Sequence, residues 1–245
     1  MTESMQLKDE VAATPGTIRG ALIVIEGLDR SGKSSQCVRL IETLRSMSIP
    51  TRYVRFPDRS TAVGGMISQY LQGTSQLNDH AIHLLFSANR WEAAEGIRRD
   101  ISNGITVIVD RYSYSGVVYS AAKQNPALSL NWAWQPEVGL PRPDLCLFLG
   151  ITPQEAAKRG GFGEERYETN AMQTRVRNLY QSLLAMPQND DIRIVDAGRP
   201  MDIVTEDMIQ LVLECIKNVE SVGPLRSFDS FSFIPSGEEE LPGLP

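Results

Sequence analysis

The chain has 245 residues, of which 42% are hydrophobic, and a formal net charge of −6. That content fills the core of one large α/β domain or two small ones. The acidic balance is a poor footprint for nonspecific binding to nucleic acid or to an anionic membrane.

The opening stretch "MTESMQLKDEVAATPGT" is acidic, without the apolar segment of a signal peptide or the arginines of a transit peptide. Residues 1–18 therefore read as a disordered tail. "ALIVI" (Ala21 to Ile25) is the first strand. It runs into Gly27-Leu28-Asp29-Arg30-Ser31-Gly32-Lys33-Ser34, a full match to G-x-x-x-x-G-K-[ST]. In such a loop glycines let backbone N–H groups close around phosphate oxygens, and the following helix N-terminus adds partial positive charge. Lys33 can then bridge the β- and γ-phosphates and the Ser34 hydroxyl can ligate magnesium. The helix behind it places Cys37, Leu40, Ile41, Leu44 and Met47 at helical spacing.

Further along, "TRYVRF" (Thr51 to Phe56), "ITVIV" (Ile105 to Val109), "DLCLFL" (Asp144 to Leu149) and "DIRIV" (Asp191 to Val195) are near-continuous apolar runs. Strands of a parallel sheet covered on both faces have that character. Asn78 or Asp79 can cap a long helix stopping near Asn103-Gly104, and Thr152, Pro153 and Glu155 form a capping box. Pro200 opens the last helix. The β-α alternation predicts one doubly wound, parallel α/β sheet. "SFDSFSFIPSGEEELPGLP" reads as a second disordered tail, residues 221–245, by its Ser, Pro, Gly and acidic content. No run reaches the roughly 20 apolar residues of a membrane span. Cys37, Cys146 and Cys215 lie too far apart for a disulfide framework or a zinc site, which favours a reducing compartment, cytoplasm or nucleus.

Two branches of phosphate-loop proteins are excluded by missing motifs: the guanine-reading N/T-K-x-D of GTPases and the L-S-G-G-Q signature of transport ATPases. "DAGR" from Asp196 has arginine where a switch D-x-x-G needs glycine. Small size, one loop and several arginines leave a nucleotide kinase. "FSANR" sets Phe86 and Arg90 four residues apart on one helix face. From spacing alone they read as a core aromatic and a surface arginine. His80 and His83 lack a third ligand, so they read as ordinary helix residues. Asp110 ends an apolar strand where open α/β sheets place ligands, in the position of a Walker-B acid.

"IEGLDRSGKSS", "RFPDRST", "HLLFSANRWE", "VDRYSYSG" and "KRGGFGEERYE", in that order, resemble the thymidylate kinase family over about Arg19 to Val219. The resemblance implies a five-stranded phosphate-loop kinase domain over residues 19–220, usually in a homodimer, with a short mobile lid at about 158–168. It implies phosphoryl transfer from ATP to dTMP with magnesium, Mg2+, held by Ser34 and Asp110. It reverses the reading of Phe86 and Arg90, which would stack on and donate to thymine. Around them it sets Phe56, Pro57, Leu71, Ser115, Gly116 and Tyr119, with Tyr119 excluding a 2′-hydroxyl, and Tyr167 and Gln173 from the lid side. Arg59 and Arg111 would grip phosphate. ATP would meet Gly27, Asp29 to Ser35, Arg159 and the backbone around Ala197. Arg30 would supply the catalytic cation, while Asp29 accepts from the dTMP 3′-hydroxyl. Kinases of dUMP, CMP or a deoxynucleoside, and a catalytically dead nucleotide binder, remain the alternatives.

Overall fold

The computed structural model describes residues 18–159, 165–184 and 191–230. The middle of the proposed lid, residues 160–164, lies outside them, as do residues 1–17 and 231–245. Strands β1 (Leu22–Gly27), β2 (Thr51–Arg55), β3 (Thr106–Asp110), β4 (Leu145–Gly150) and β5 (Ile192–Asp196) form one parallel sheet in the order β2-β3-β1-β4-β5. Every residue of β1, β3 and β4 is buried, whereas edge strands β2 and β5 are partly exposed. Compared with the expected spans, β1, β3, β4 and β5 each extend at least one residue further toward the carboxyl end. The parallel ladder carries polar residues there, pairing Ile25 and Arg55 with Asp110 and Gly150 with Asp196.

The apolar runs are continuous because both faces are covered. Leu22, Val24, Val107, Val109 and Phe148 pack with helices α3 (Asp79–Ser102), α4 (Ser113–Ala121) and α7 (Asn170–Leu184). Ile23, Ile25, Ile108, Leu147 and Leu149 pack on the other side with α1 (Lys33–Ser46) and α8 (Met201–Val222). Strands β2 and β3 lie to one side of β1 and β4 and β5 to the other, so the loop after β1 opens at the switch point where doubly wound sheets bind ligands. Asn78 caps α3 through His80 N, and the Thr152–Glu155 capping box opens α6 (Pro153–Lys158). Pro200 opens α8 as its N-cap residue. Among the helices that escape the periodicity reading are α4 and α2 (Ala62–Leu71); Gly64 of α2 is forced by packing, since a Cβ there would stand 1.7 Å from the Asp58 carbonyl oxygen.

A disordered tail from residue 221 is not what the structure shows over residues 223–230. There the chain leaves α8 at Gly223 and lies on the body, with Ser227 bridged to Pro141 and Phe228 only 3% exposed. Phe228 packs against Tyr112, Tyr114 and Trp134, with ring centroids 4.9 to 6.1 Å away. One well-placed aromatic outweighs the disorder-prone composition around it.

Beneath this cluster His83 joins three helices, with Nδ1 at 2.7 Å from Ser120 Oγ and Nε2 at 2.9 Å from the Ala133 carbonyl of α5 (Leu130–Trp134). Burial, helped by the Arg90 charge, lowers its imidazole from 6.5 to about 4. Between those values the unfolded chain binds a proton that the native state refuses, so native stability falls as pH drops through this window. The loss is about 2 kcal/mol at pH 5. Urea unfolding at pH 7 and pH 5 measures it. His83→Gln is expected to show a smaller pH 5 deficit than the wild type, and an identical deficit would contradict the assignment.

Candidate active site

The phosphate loop is built as its glycines require. Gly27 (φ 142°) and Gly32 (φ 91°) occupy conformations that side chains resist, and a Cβ on Gly27 would lie 2.6 Å from the Leu149 carbonyl oxygen. Gly32 is the N-cap of α1, so Lys33 and Ser34 begin the helix. Lys33 Nζ donates to the Leu28 carbonyl at 2.6 Å and approaches Ser31 Oγ at 3.4 Å. Ser34 Oγ donates to Asp110 Oδ2 at 2.6 Å, joining the end of β3 to the helix start. Ser35 is exposed in the first turn. Arg159 spans the rim, donating to the Arg30 carbonyl at 2.9 Å and to the Ala197 carbonyl at 2.6 Å. Loop, helix and the turn after β5 thus meet at Arg159.

Beside the loop opens a cleft of about 870 Å³, its mouth included. Asp29, Phe56, Pro57, Arg59, Leu71, Phe86, Arg90, Arg111, Ser115, Gly116, Tyr119 and Tyr167 all line it, drawn from segments far apart in the chain. Asp29 is the hinge of the arrangement, because it belongs to the phosphate loop yet faces this second cavity. It pairs with Arg111 and accepts from Gln173 Nε2 at 2.7 Å. Gln173 also donates to the Tyr167 carbonyl at 3.2 Å. Burial alone would raise the Asp29 carboxyl, but the charges of Arg111 and Lys33 hold it below the usual carboxylate range. Arg30 and Arg111 take left-handed conformations, φ 68° and 66°. Strain of this kind at two arginines flanking one cleft is what functional sites carry.

The surface-arginine reading of Arg90 fails: the residue is 2% exposed and grips the fully buried Glu137 in a fork, Nε to Oε2 at 2.6 Å and Nη2 to Oε1 at 2.7 Å. Its guanidinium lies against Gly116, where a Cβ would come within 2.5 Å of Nη2. Arg59 pairs with Glu165 at 2.6 Å. At the edge of the cleft Tyr167, in the last part of the lid, packs on Tyr70 with ring centroids 6.1 Å apart, and the Arg166 guanidinium lies 4.2 Å from the Tyr70 ring centroid. Arg166 also donates to the Tyr70 and Ser75 carbonyls at 3.0 and 3.2 Å.

Sequence reasoning missed four polar supports. Glu26 is fully buried and accepts from the backbone N–H groups of Tyr112 and Ser115 at 2.9 and 3.0 Å, from Tyr180 at 3.1 Å and from Ser115 Oγ. It fixes the turn that carries Arg111. Asn89 clamps the loop of Asp58 and Thr61. Tyr53 donates to Asp110 Oδ2 at 3.0 Å, and Glu137 holds Arg90. Only Glu26 left a signal, an acid inside a run otherwise destined for the core.

A glycine loop over a helix N-terminus, next to a cleft lined by aromatics and arginines and joined to it by one acidic residue, defines a phosphate-loop nucleotide kinase. The thymidylate kinase family model matches residues 25–208. A thymidylate kinase of Arabidopsis thaliana is 49% identical over 207 residues, covering 84% of this chain and 76% of its own. One from Homo sapiens is 47% identical over 199 residues, 81% of this chain and 92% of that protein. The solved thymidylate kinase of Candida albicans superposes with a TM-score of 0.73 at 40% identity, covering 85% of this chain and 98% of that one. The chain belongs to the thymidylate kinase family.

Proposed function

We propose that the protein transfers the γ-phosphoryl group of ATP to the phosphate of dTMP, giving dTDP by in-line displacement. The observation that carries this reading is the shared position of Asp29, a phosphate-loop residue that lines the acceptor cleft. ATP in the loop and a monophosphate near Arg111 would lie within reach of one another, and catalysis of this reaction is largely positioning and charge neutralisation. Phe86, Leu71 and Tyr119 supply the apolar and aromatic walls a pyrimidine needs, and Arg90 the donor for its carbonyl. Tyr119 would exclude a 2′-hydroxyl.

Magnesium fits the residues present. Ser34 Oγ and Asp110 Oδ2 are within 2.6 Å, and among the described residues there is no cluster of three metal-ligating side chains. Mg2+ characteristically takes few protein ligands and completes its shell with water and phosphate oxygens. When bound it neutralises phosphate charge; Ser34 and Asp110 would hold it. Arg30 supplies a second positive charge from the loop.

Burial, with Arg111 repulsion next, lowers the Lys33 ammonium to about 8. Nucleotide phosphates restore its charge, so ATP binding takes up protons as pH rises through 8, approaching about one per ATP near pH 9, and affinity weakens accordingly. Calorimetry in buffers of different ionisation enthalpy measures the uptake. Zero uptake at both pH 7 and pH 9 would contradict it.

The same reading makes the protein a homodimer of the cytoplasm or nucleus. Leu84 and Trp91, seven residues apart on α3, are 46% and 43% exposed, and Met66 on adjoining α2 is 50% exposed. Such a face favours self-association. All three cysteines are free, which accords with a reducing compartment. A coupled ADP-release assay over dTMP, dUMP, CMP and AMP tests the activity. Preferred turnover of dTMP is expected, and preference for AMP or CMP would overturn the assignment.

A further inference from the structure

Arg90 owes its position to Glu137, and Glu137 lies in a short segment that the C-terminal residues grip on both sides. Before it, Trp134 Nε1 donates to the Asp229 carbonyl at 2.9 Å. After it, Gly139 N donates to the Phe228 carbonyl and Phe228 N to the Leu140 carbonyl, both at 2.9 Å. Arg142 N donates to the Arg226 carbonyl at 2.9 Å, and Arg98 reaches Gly139 O at 2.6 Å and Ser227 Oγ at 3.1 Å. Between these ties sits the 3-10 turn Gln135–Glu137, whose carboxylate is fully buried. Helix α3 adds one anchor, with Ser87 and Trp91 donating to the Pro136 carbonyl at 3.0 and 2.8 Å. Arg90 is on that same helix. The opposite side of the segment depends on residues 226–229.

From this bracket we propose that the C-terminal strap, residues 223–230, is a positioning element for acceptor-base recognition. It holds Glu137, Glu137 holds the Arg90 fork, and the fork is thereby aimed into the cleft against Gly116. Phe228 is the strap's anchor. Its ring seals against Tyr112, Tyr114 and Trp134, and its backbone makes both strand-like hydrogen bonds to the Glu137 segment. No strap residue lines the cleft. Its influence passes through the acceptor side, whereas the phosphate loop is fixed separately through Asp110 and Arg159. A strap defect should consequently weaken the acceptor and spare ATP. The inference rests on dTMP being that acceptor.

The test is isothermal titration of full-length protein with dTMP and, separately, with a non-hydrolysable ATP analogue. Phe228→Ala is expected to weaken dTMP about tenfold and leave the analogue unchanged, while Phe228→Leu, which refills most of the volume, restores dTMP binding. Arg98→Met loosens the same bracket without opening the aromatic cluster and is expected to weaken dTMP alone, by a smaller factor. That variant decides the question if Phe228→Ala does not fold. Unchanged dTMP affinity in the folded variants, or equal loss for both ligands, overturns the proposal. Failure of the wild-type protein to bind dTMP would instead sink the assigned substrate, and this inference with it.

Discussion

Arg30→Gly is expected to lower kcat by a factor of about 10³–10⁵, with the KM for dTMP nearly unchanged. The magnitude is that of an arginine placed to meet the charge that shifts between oxygens during phosphoryl transfer. The backbone makes the experiment clean. Arg30 stands at φ 68°, where glycine is at ease and arginine is strained, so the variant removes the cation without unsettling the loop. Nor does the substitution remove the contact with Arg159, which runs to the Arg30 carbonyl. Steady-state kinetics with thermal denaturation as a control decide the matter. A variant of unchanged melting temperature and near wild-type turnover would refute the role, leaving Lys33, Arg111 and Arg159 to supply the charge.

The second large effect falls on stability. Glu137→Ala strands the Arg90 guanidinium in the interior, where burial has no compensating anion, and is expected to cost about 3–5 kcal/mol. Burial by itself would raise the Glu137 carboxyl; Arg90 outweighs it and holds the group below its ordinary range. That ordering means the pair survives by mutual compensation. The double variant Arg90→Met with Glu137→Leu should therefore recover most of the loss while leaving dTMP binding impaired, separating what the pair does for folding from what it does for recognition. Chemical denaturation of the three proteins provides the measurement. A single variant as stable as the wild type would show that Arg90 has another partner, and a double variant no better than the single would show that the cost lies in packing.

How much of this was legible from residue order differs by element. The central strands were, because full burial on two faces demands apolar runs such as "LIVIEG" and "LCLFLG". The phosphate loop was, because its glycines answer to backbone geometry at Gly27 and Gly32. Helix α2, with "AVGG" at its start, and α4, with "SYSG", were not: glycine and serine argue against helix locally, and tertiary contact at Gly64 and Gly116 overrides them. The strap was hidden by composition, since one buried phenylalanine among serines carries no periodicity. The members of the cleft came into view through family resemblance, and spacing alone misread Arg90 as a surface residue. Its partner Glu137 is 47 positions distant, and no local pattern reports such a pair.

Two nucleotides are expected to meet end to end across Asp29, one cradled by glycines and the other held by aromatic and guanidinium groups. Crystals grown with dTMP and a non-hydrolysable ATP analogue test this most directly. Thymine should stack on Phe86 with its carbonyl toward Arg90, the triphosphate should lie over Lys33, and the acceptor phosphate oxygen should stand in line with the γ-phosphorus. Thymine bound outside this cleft, or the two phosphates on opposite faces of the sheet, would contradict it.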